Sequence, residues 1–562
     1  MLSTNRLLKN YCGEPSAALR GTRNLGYLSG MLRQLRSGRL ASGLPHDVFQ
    51  QPANNPKFGC SFGSVGKILP NALFMRGWAA SGRDFLCERN ASTVRTLFLL
   101  TLGYLMVGCT VGPNYLKPNV TLAPFHNTAS VADRTVDQPA PPLDQWWIGF
   151  RDPELTKIIQ RALAQNLDIQ ASLERVLQAR AAAKTAGARL LPAMDASTQA
   201  LAMRQSLESP IGAIAQTLPG YNRNAELYDV GASASWEIDL FGGLRRGEEA
   251  AKAEAGAAEA MHLGVRVSVA ADAADAYFQI RGLQARIKVI EDLIITDTKL
   301  FDLIRLRKTN GMSTDREVAQ AEAVLAQAQG SVPLLKIELE AQLNRLDVLM
   351  GAQPGTYASE LSASTPLPDV PRITAKSSDL LRRRPDIIAA ERNIAAANAG
   401  IGAALSDYYP KVSLSGLLGF ESLTPTHLFK SVTFQPTAIA GLRWRLFDFG
   451  KIDGEVALAN AATREALVRY RQTVLHAAED VENACAALVQ LETHGRDVTR
   501  QIGALTQARD ESQEAYRAGL IALTDALDAN RQLLVAEDDL PRTQADTARA
   551  AVRLFRALGG GW

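Results

Sequence analysis

The chain is poor in the residues that carry most enzyme and metal chemistry. Of 562 residues, five are cysteine and six are histidine. Cys12, Cys60, Cys87, Cys109 and Cys485 form no C-x-x-C pair and no Cys/His ligand spacing, which argues against a zinc site. His46, His126, His262, His427, His476 and His494 are scattered, with no nucleophile–base constellation beside them. An enzyme is therefore the least favoured class, and no cofactor or metal is expected. Net basic charge is also missing where it would matter. The overall +3 conceals 13 basic and 4 acidic residues in 1–108, leaving 48 basic and 54 acidic residues, a balance of −6, in the remainder. No basic stripe with interleaved aromatics occurs there, so no nucleic-acid partner is expected. Proline is absent from 220–332 and from 437–540, which leaves room for very long helices.

What is present is present twice. Trp236 to Gly242 reads W-E-I-D-L-F-G, and Trp444 to Gly450, 208 positions on, reads W-R-L-F-D-F-G. The same shift carries Gly311 onto Gly519 and Pro333 onto Pro541; a shift of 218 carries Asp168 onto Asp386 and Pro192 onto Pro410. Each copy reads as a helix, an alternating strand, a turn-rich loop, a second alternating strand and a long helix bent at a glycine. The first copy opens with a helical pattern over 153–190 that Pro192 stops. Such an internal duplication points to a pseudo-symmetric object completed by further subunits.

The strands are long. Val230, Ala232, Ala234, Trp236, Ile238 and Leu240 alternate with Gly231, Ser233, Ser235, Glu237 and Asp239. The second copy offers Val412 to Phe420, then Ala438 to Leu446; the tract after Ala193 is a less regular first strand. A half-buried soluble strand shows the same period, but about 9–11 residues is the length of a tilted strand crossing a bilayer. Pro-, Gly- and Asn-containing stretches near 205–228 and 421–434 suit exposed turns. Four strands cannot close a barrel, and an open edge has no partners in lipid, so spanning strands require several chains. The helical stretch 244–308 would reach on the order of 100 Å at 1.5 Å per residue. Its apolar spacing (Ile287, Ile290, Leu293, Ile294, Leu300, Ile304) also fits a soluble bundle or rod. Gly311 and Gly519 interrupt the pattern where the chain must turn back, and are the expected hairpin tips. Lone Cys485, in a helical run, reads as a small core residue.

At the N-terminus the apolar run 96–108 is too short for a comfortable span and follows Arg89 and Arg95. It fits the core of a secretory signal and ends at Met106-Val107-Gly108-Cys109, which resembles a bacterial lipobox with Cys109 as the acylated residue. The alternative is a buried segment with an incidental cysteine. The resulting division is 1–94 as a non-native or disordered extension, 95–108 as signal peptide, 109–150 as a lipidated tether rich in proline, 151–351 as first repeat, 352–377 as linker and 378–562 as second repeat. If translation really starts near Met75 or Val94, no peptide from residues 1–70 will be recovered from cells by mass spectrometry; recovering one contradicts this. The absence of Asp after Cys109 (Thr110 stands there) favours the outer membrane.

The run S-D-L-L-R-R-R-P-D-I (378–387), with C-T-V-G-P-N-Y (109–115), Trp147, both W…F-G strand ends and the terminal A-L-G-G-G-W, resembles the outer-membrane efflux protein family. More narrowly it is similar to the NodT-like outer-membrane lipoproteins of tripartite RND pumps within the TolC superfamily. The resemblance covers about 109–562. It implies a mainly α chain with a membrane β part: a homotrimer with a twelve-stranded barrel in the outer membrane, four strands per chain, continued by an α-helical tunnel across the periplasm. It implies a lipid-anchored passive channel for small toxic compounds, with a periplasmic adaptor (membrane fusion) protein and an inner-membrane RND transporter as partners. It also implies a periplasmic gate. Tyr516-Arg-Ala-Gly519 and Leu527-Asp-Ala-Asn-Arg531 resemble the family's tip, with Asp528 as the constriction aspartate and Arg531 one turn later on the same face. Where the family often has leucine four residues before that aspartate, this chain has Thr524, and Asp525 beside it adds charge. Read without the resemblance, Asp528 and Arg531 are a solvated surface pair. The Arg382–Arg384 block reads as a helix junction at Pro385 rather than an anion site. Alternatives are the exit duct of a type I protein secretion system and a structural coiled-coil lipoprotein.

Overall fold

The computed structural model describes residues 110–119, 124–132, 134, 140–363, 365–373 and 382–562. The extension, the signal run and Cys109 lie outside these residues. The duplication is visible in element lengths. After a short helix α1 (Thr128–Ala132), the first copy runs α2 (Pro153–Gln165), α3 (Leu167–Ala188), β1 (Ala193–Arg204), α4 (Pro210–Ala215), β2 (Asn224–Ile238), α5 (Gly243–Thr309) and α6 (Asp315–Leu349). The second runs α7 (Pro385–Leu405), β3 (Lys411–Ser422), β4 (Phe434–Arg443), α8 (Lys451–Arg517) and α9 (Leu523–Ala557). Helices α5 and α8 each have 67 residues, and α6 and α9 each have 35, with Pro333 and Pro541 at matching positions.

The helical pattern over 153–190 is two helices rather than one. Asn166 closes α2 and caps α3, its Oδ1 accepting from the N–H groups of Asp168 (2.9 Å) and Ile169 (3.1 Å). Such a side-chain acceptor satisfies donors that a helix start leaves bare. The first inter-strand loop holds the short α4, capped by Ser209, so β2 begins at Asn224 and reaches 15 residues. At the other end β4 stops at Arg443, short of the expected Leu446. Arg443 pairs with Lys411, the first residue of β3, so the chain beyond it runs past its partner. Trp444 still occupies the position equivalent to Trp236. Trp236 Nε1 donates to Leu190 O and Trp444 Nε1 to Tyr408 O, both at 2.9 Å, and the acceptors are themselves 218 positions apart.

The strands form one antiparallel sheet in the order β1-β2-β3-β4, and its central pair, β2 with β3, joins the two copies. Register sorts the alternation onto faces. Met194, Ala234, Gly416 and Ala438 align across all four strands, as do Ala196, Ala232, Leu418 and Pro436. Residues directly opposite share a face, so Val230, Trp236, Val412, Leu414, Phe420 and Leu442 join them on one apolar side. The other side carries Asp195, Ser197, Ser233, Ser235, Glu237, Ser413, Ser415 and Glu421. Among the described residues no helix is long and apolar enough to cross a membrane.

Below the sheet, α5 and α8 are entered through Gly242 and Gly450, at φ +81° and +85°. At Gly242 a Cβ would also stand 2.8 Å from Thr110 Cα, so only glycine fits. The main core lies midway along the long helices. Trp146, Phe150, Leu155, Ile159, Phe278, Phe555 and Leu558 meet an alanine-rich stripe (Ala270, Ala273, Ala274, Ala550, Ala551) that allows close helix approach. Cys485 is buried in this core, which pushes its thiol up to about 11. The proline-rich 117–145 segment, expected as an extended tether, is docked where it is described. Val131 is buried in that core, Glu482 accepts from the N–H groups of His126 and Asn127, and Arg134 pairs with Glu492. Pro385 starts α7, and Arg384 ahead of it binds Asp386, Asp480 and Ala557 O, a junction held by ion pairs.

Candidate gate region at the helix turns

The two long hairpins turn at Gly311 and Gly519, with φ +71° and +75°. Each closes its helix in the same way: Met312 N–H donates to Arg307 O (2.8 Å) and Leu520 N–H to Ala515 O (2.9 Å), the six-to-one bond that a left-handed glycine permits. A Cβ at either glycine would meet no atom, so the left-handed backbone rather than crowding calls for glycine. The next helices start differently. α6 has a capping box between Thr314 and Glu317, whereas α9 begins after Ala522 with no side-chain cap.

Apolar side chains join the hairpins near the turns. Ile304 of α5, Ala321 of α6, Tyr516 of α8 and Leu523, Ala526 and Leu527 of α9 form one buried cluster. The Arg307 guanidinium lies 4.8 Å from the centre of the Tyr516 ring, bridging α5 to α8. With Leu523 and Leu527 turned inward, the opposite face of α9 presents Thr524, Asp525, Asp528 and Arg531 to the outside. Asp528 and Arg531 meet: Arg531 Nη2 donates to Asp528 Oδ1 at 2.9 Å, and Gln532 Nε2 to Oδ2 at 2.6 Å. These bonds, Arg531 first, hold the Asp528 carboxyl below its ordinary range, so it is anionic at neutral pH. Their side chains remain 49% and 64% exposed, so the pair adds little to the stability of one chain. Thr524 and Asp525 lie one turn earlier, at the exposed start of α9.

Between Asp528 and Arg531 stands a residue that the spacing argument passed over. Asn530 is 3% exposed and donates through Nδ2 to Oδ1 of Asp297 on α5, at 2.7 Å. A polar residue on a helix reads as solvated until its partner, 233 positions away, is known. Among the described residues no group of three or more His, Cys, Asp or Glu side chains could hold a metal ion.

A four-stranded sheet with one apolar face, set on duplicated hairpins of the order of 100 Å, defines a class of protein: a strand-anchored helical duct. Comparison with known sequences gives the family. The chain belongs to the Outer membrane efflux protein family, whose profile matches residues 158–352 and 377–560. It is 32% identical over 477 residues to the pyoverdine export outer membrane protein OpmQ of Pseudomonas putida, covering 83% of this chain and 98% of that protein. It is 28% identical to the toluene efflux pump outer membrane protein TtgI of Pseudomonas putida, covering 83% and 97%. Among solved structures, the outer-membrane channel OprN superposes with a TM-score of 0.74 at 32% identity, covering 81% of this chain and all of that one. This protein is thus an outer-membrane channel of efflux pumps, a passive conduit rather than an enzyme.

Proposed function

We propose that the chain works as a homotrimer whose twelve pooled strands close a barrel in the outer membrane. It is anchored by acylated Cys109 and passes small toxic compounds received from a periplasmic adaptor and an inner-membrane RND transporter. The observation that carries this reading is the open sheet. The outer edges of β1 and β4 have no partner strand among the described residues, and lipid offers none. The docked segment supports the anchor. Val111 N–H bonds Phe241 O at 3.0 Å, and Arg246 binds Val111 O, Gly112 O and Asn114, so Thr110 lies beside the end of β2 where a lipid on the preceding residue would meet the membrane. OpmQ and TtgI differ in cargo by name, pyoverdine against toluene, which is consistent with selection upstream of the duct.

In this reading Asp528 and Arg531 gate the periplasmic end, three copies of the anionic carboxylate forming a ring that attracts cations and repels anions. The exposure of the pair in one chain leaves both groups free to meet neighbouring copies. Thr524 and Asp525, exposed one turn earlier, form the polar rim of that gate, with Gly311 and Gly519 at the hairpin tips. Single-channel recording in a planar bilayer tests this, with wild type beside Asp528→Ala. Low, flickering conductance that rises several-fold in the variant is the expected result. A stable pore indifferent to the change moves the gate, with Asp525 next to be tried. A folded protein that never conducts refutes the barrel and restores a structural coiled-coil lipoprotein.

A further inference from the structure

Where α9 crosses α5 near the gate, two buried acceptors lack a partner among the described residues, and they belong to one hydrogen-bonded pair, Asp297 and Asn530. Asn530 Nδ2 donates to Asp297 Oδ1 at 2.7 Å, tying α9 to α5. The other oxygens, Asp297 Oδ2 and Asn530 Oδ1, are buried and have no hydrogen-bond partner among the described residues. An ionised Asp297 would be a buried charge compensated by one neutral donor, beside an unsatisfied amide oxygen, and both conditions are costly. A single proton relieves both. Placed on Asp297 Oδ2, it donates to Asn530 Oδ1 and closes a two-bond carboxylic acid–amide pair.

The surroundings favour that proton. Along the hairpins the pair lies between two apolar layers, one with Leu300, Ile304 and Leu527, the other with Ile290, Ile294 and Leu534. The charged groups of the four elements packed here are turned outward or half-buried. They include Glu291, Asp292, Lys299 and Asp302 on α5; Glu322 and Lys336 on α6; Arg509, Asp510 and Glu511 on α8; and Asp525, Asp528, Arg531 and Glu537 on α9. Burial pushes the Asp297 carboxyl up, and the Asn530 amide opposes it only in part.

We propose that Asp297 is held protonated and that, with Asn530, it forms a latch positioning the Asp528–Arg531 turn of α9 against α5. Its effect on conduction rests on the gate reading above; its protonation does not. The sign of the pH dependence follows. A carboxyl raised in the folded state contributes stability that is complete below its unfolded value and is lost as pH rises through the folded one. The latch therefore loosens, and the tip opens more often, on the alkaline side of that folded value.

The test uses the full mature protein in detergent and in bilayers, as wild type, Asp297→Asn, Asn530→Leu and Asp528→Ala. Infrared spectroscopy at neutral pH should show a protonated-carboxyl C=O band in wild type that is lost in Asp297→Asn. Open probability should rise several-fold with pH in wild type. It should stay low and flat in Asp297→Asn, whose amide reproduces both bonds without titrating, and stay high across the range in Asn530→Leu. Absence of the band, or an Asp297→Asn channel as pH-dependent as wild type, overturns the latch. If Asp528→Ala leaves conductance unchanged, the gate reading falls by itself and the infrared band still decides whether Asp297 carries the proton.

Discussion

Replacing Trp146 by alanine is expected to cost about 3–5 kcal/mol, the range for truncating a buried aromatic side chain. Trp146 is fully buried, stacked on Phe555 with centroids 5.3 Å apart and edge-on to Trp147 and Phe150 at 5.6 and 6.1 Å. It sits in a 3-10 helix, Leu143–Phe150, wedged against the end of the last helix. The chain terminus folds over it: Gly561 N–H donates to Leu143 O at 2.8 Å, and a Cβ on Gly560 would come within 3.0 Å of the indole. Removing the indole therefore opens a cavity under the C-terminal turn and loosens the contact between the N-terminal segment and α9. Unfolding of a membrane channel of this size is best followed as a rate, by the half-life of the folded protein at fixed temperature. A half-life within twofold of wild type would show that the midway core does not depend on this residue.

Arg281→Met should be almost as damaging, at about 3 kcal/mol, the low end for breaking one side of a buried ion pair. Arg281 is only 1% exposed. It binds Glu154 and donates to Gln284 Oε1 (2.9 Å) and Ala363 O (2.5 Å), with its guanidinium 5.1 Å from the centre of the Tyr277 ring. Tyr277 in turn donates to Asp152, the residue whose other carboxylate oxygen caps α2. One cation thus joins α2, α5 and the segment after α6. The low end applies because the Glu154 side chain is 33% exposed and rehydrates in part when abandoned. Adding Glu154→Gln to Arg281→Met should recover part of the loss, because it removes the stranded charge. A double variant no more stable than the single one would place the cost in packing instead. Both comparisons are read from the half-life of the folded protein at fixed temperature.

Much of this architecture is legible in the residues. Strands β2 and β3 follow from period-two alternation, and the register aligns their apolar positions, Trp236 with Leu414 and Val230 with Phe420. Strand β1 is faint because Ala, Ser, Thr and Gln give little contrast between its faces; pairing with β2 along its whole length makes it a strand. The break at Asn166 is hidden because leucine and alanine keep their helical spacing through it, and only the cap geometry divides α2 from α3. The Asp528–Arg531 contact was readable from i, i+3 spacing, since it is local. Asn530 and Arg281 were not, because a polar residue on a helix declares itself buried only when the element that covers it is in place.

By itself the sequence determined the duplication, the number of the strands, the uninterrupted long helices and the positions of their glycine turns; the ends of β2 and β4 came from pairing. The former depend on short-range rules: side-chain alternation, missing prolines and left-handed backbone at glycine. Tertiary structure alone decided that β2 pairs with β3 to join the copies, that the proline-rich segment docks on α8, and which polar side chains are buried. Those outcomes depend on contacts between residues far apart in the chain, Asp297 with Asn530 and Arg134 with Glu492 among them. Local pattern carries no information about such pairs, because burial is a property of what packs on top.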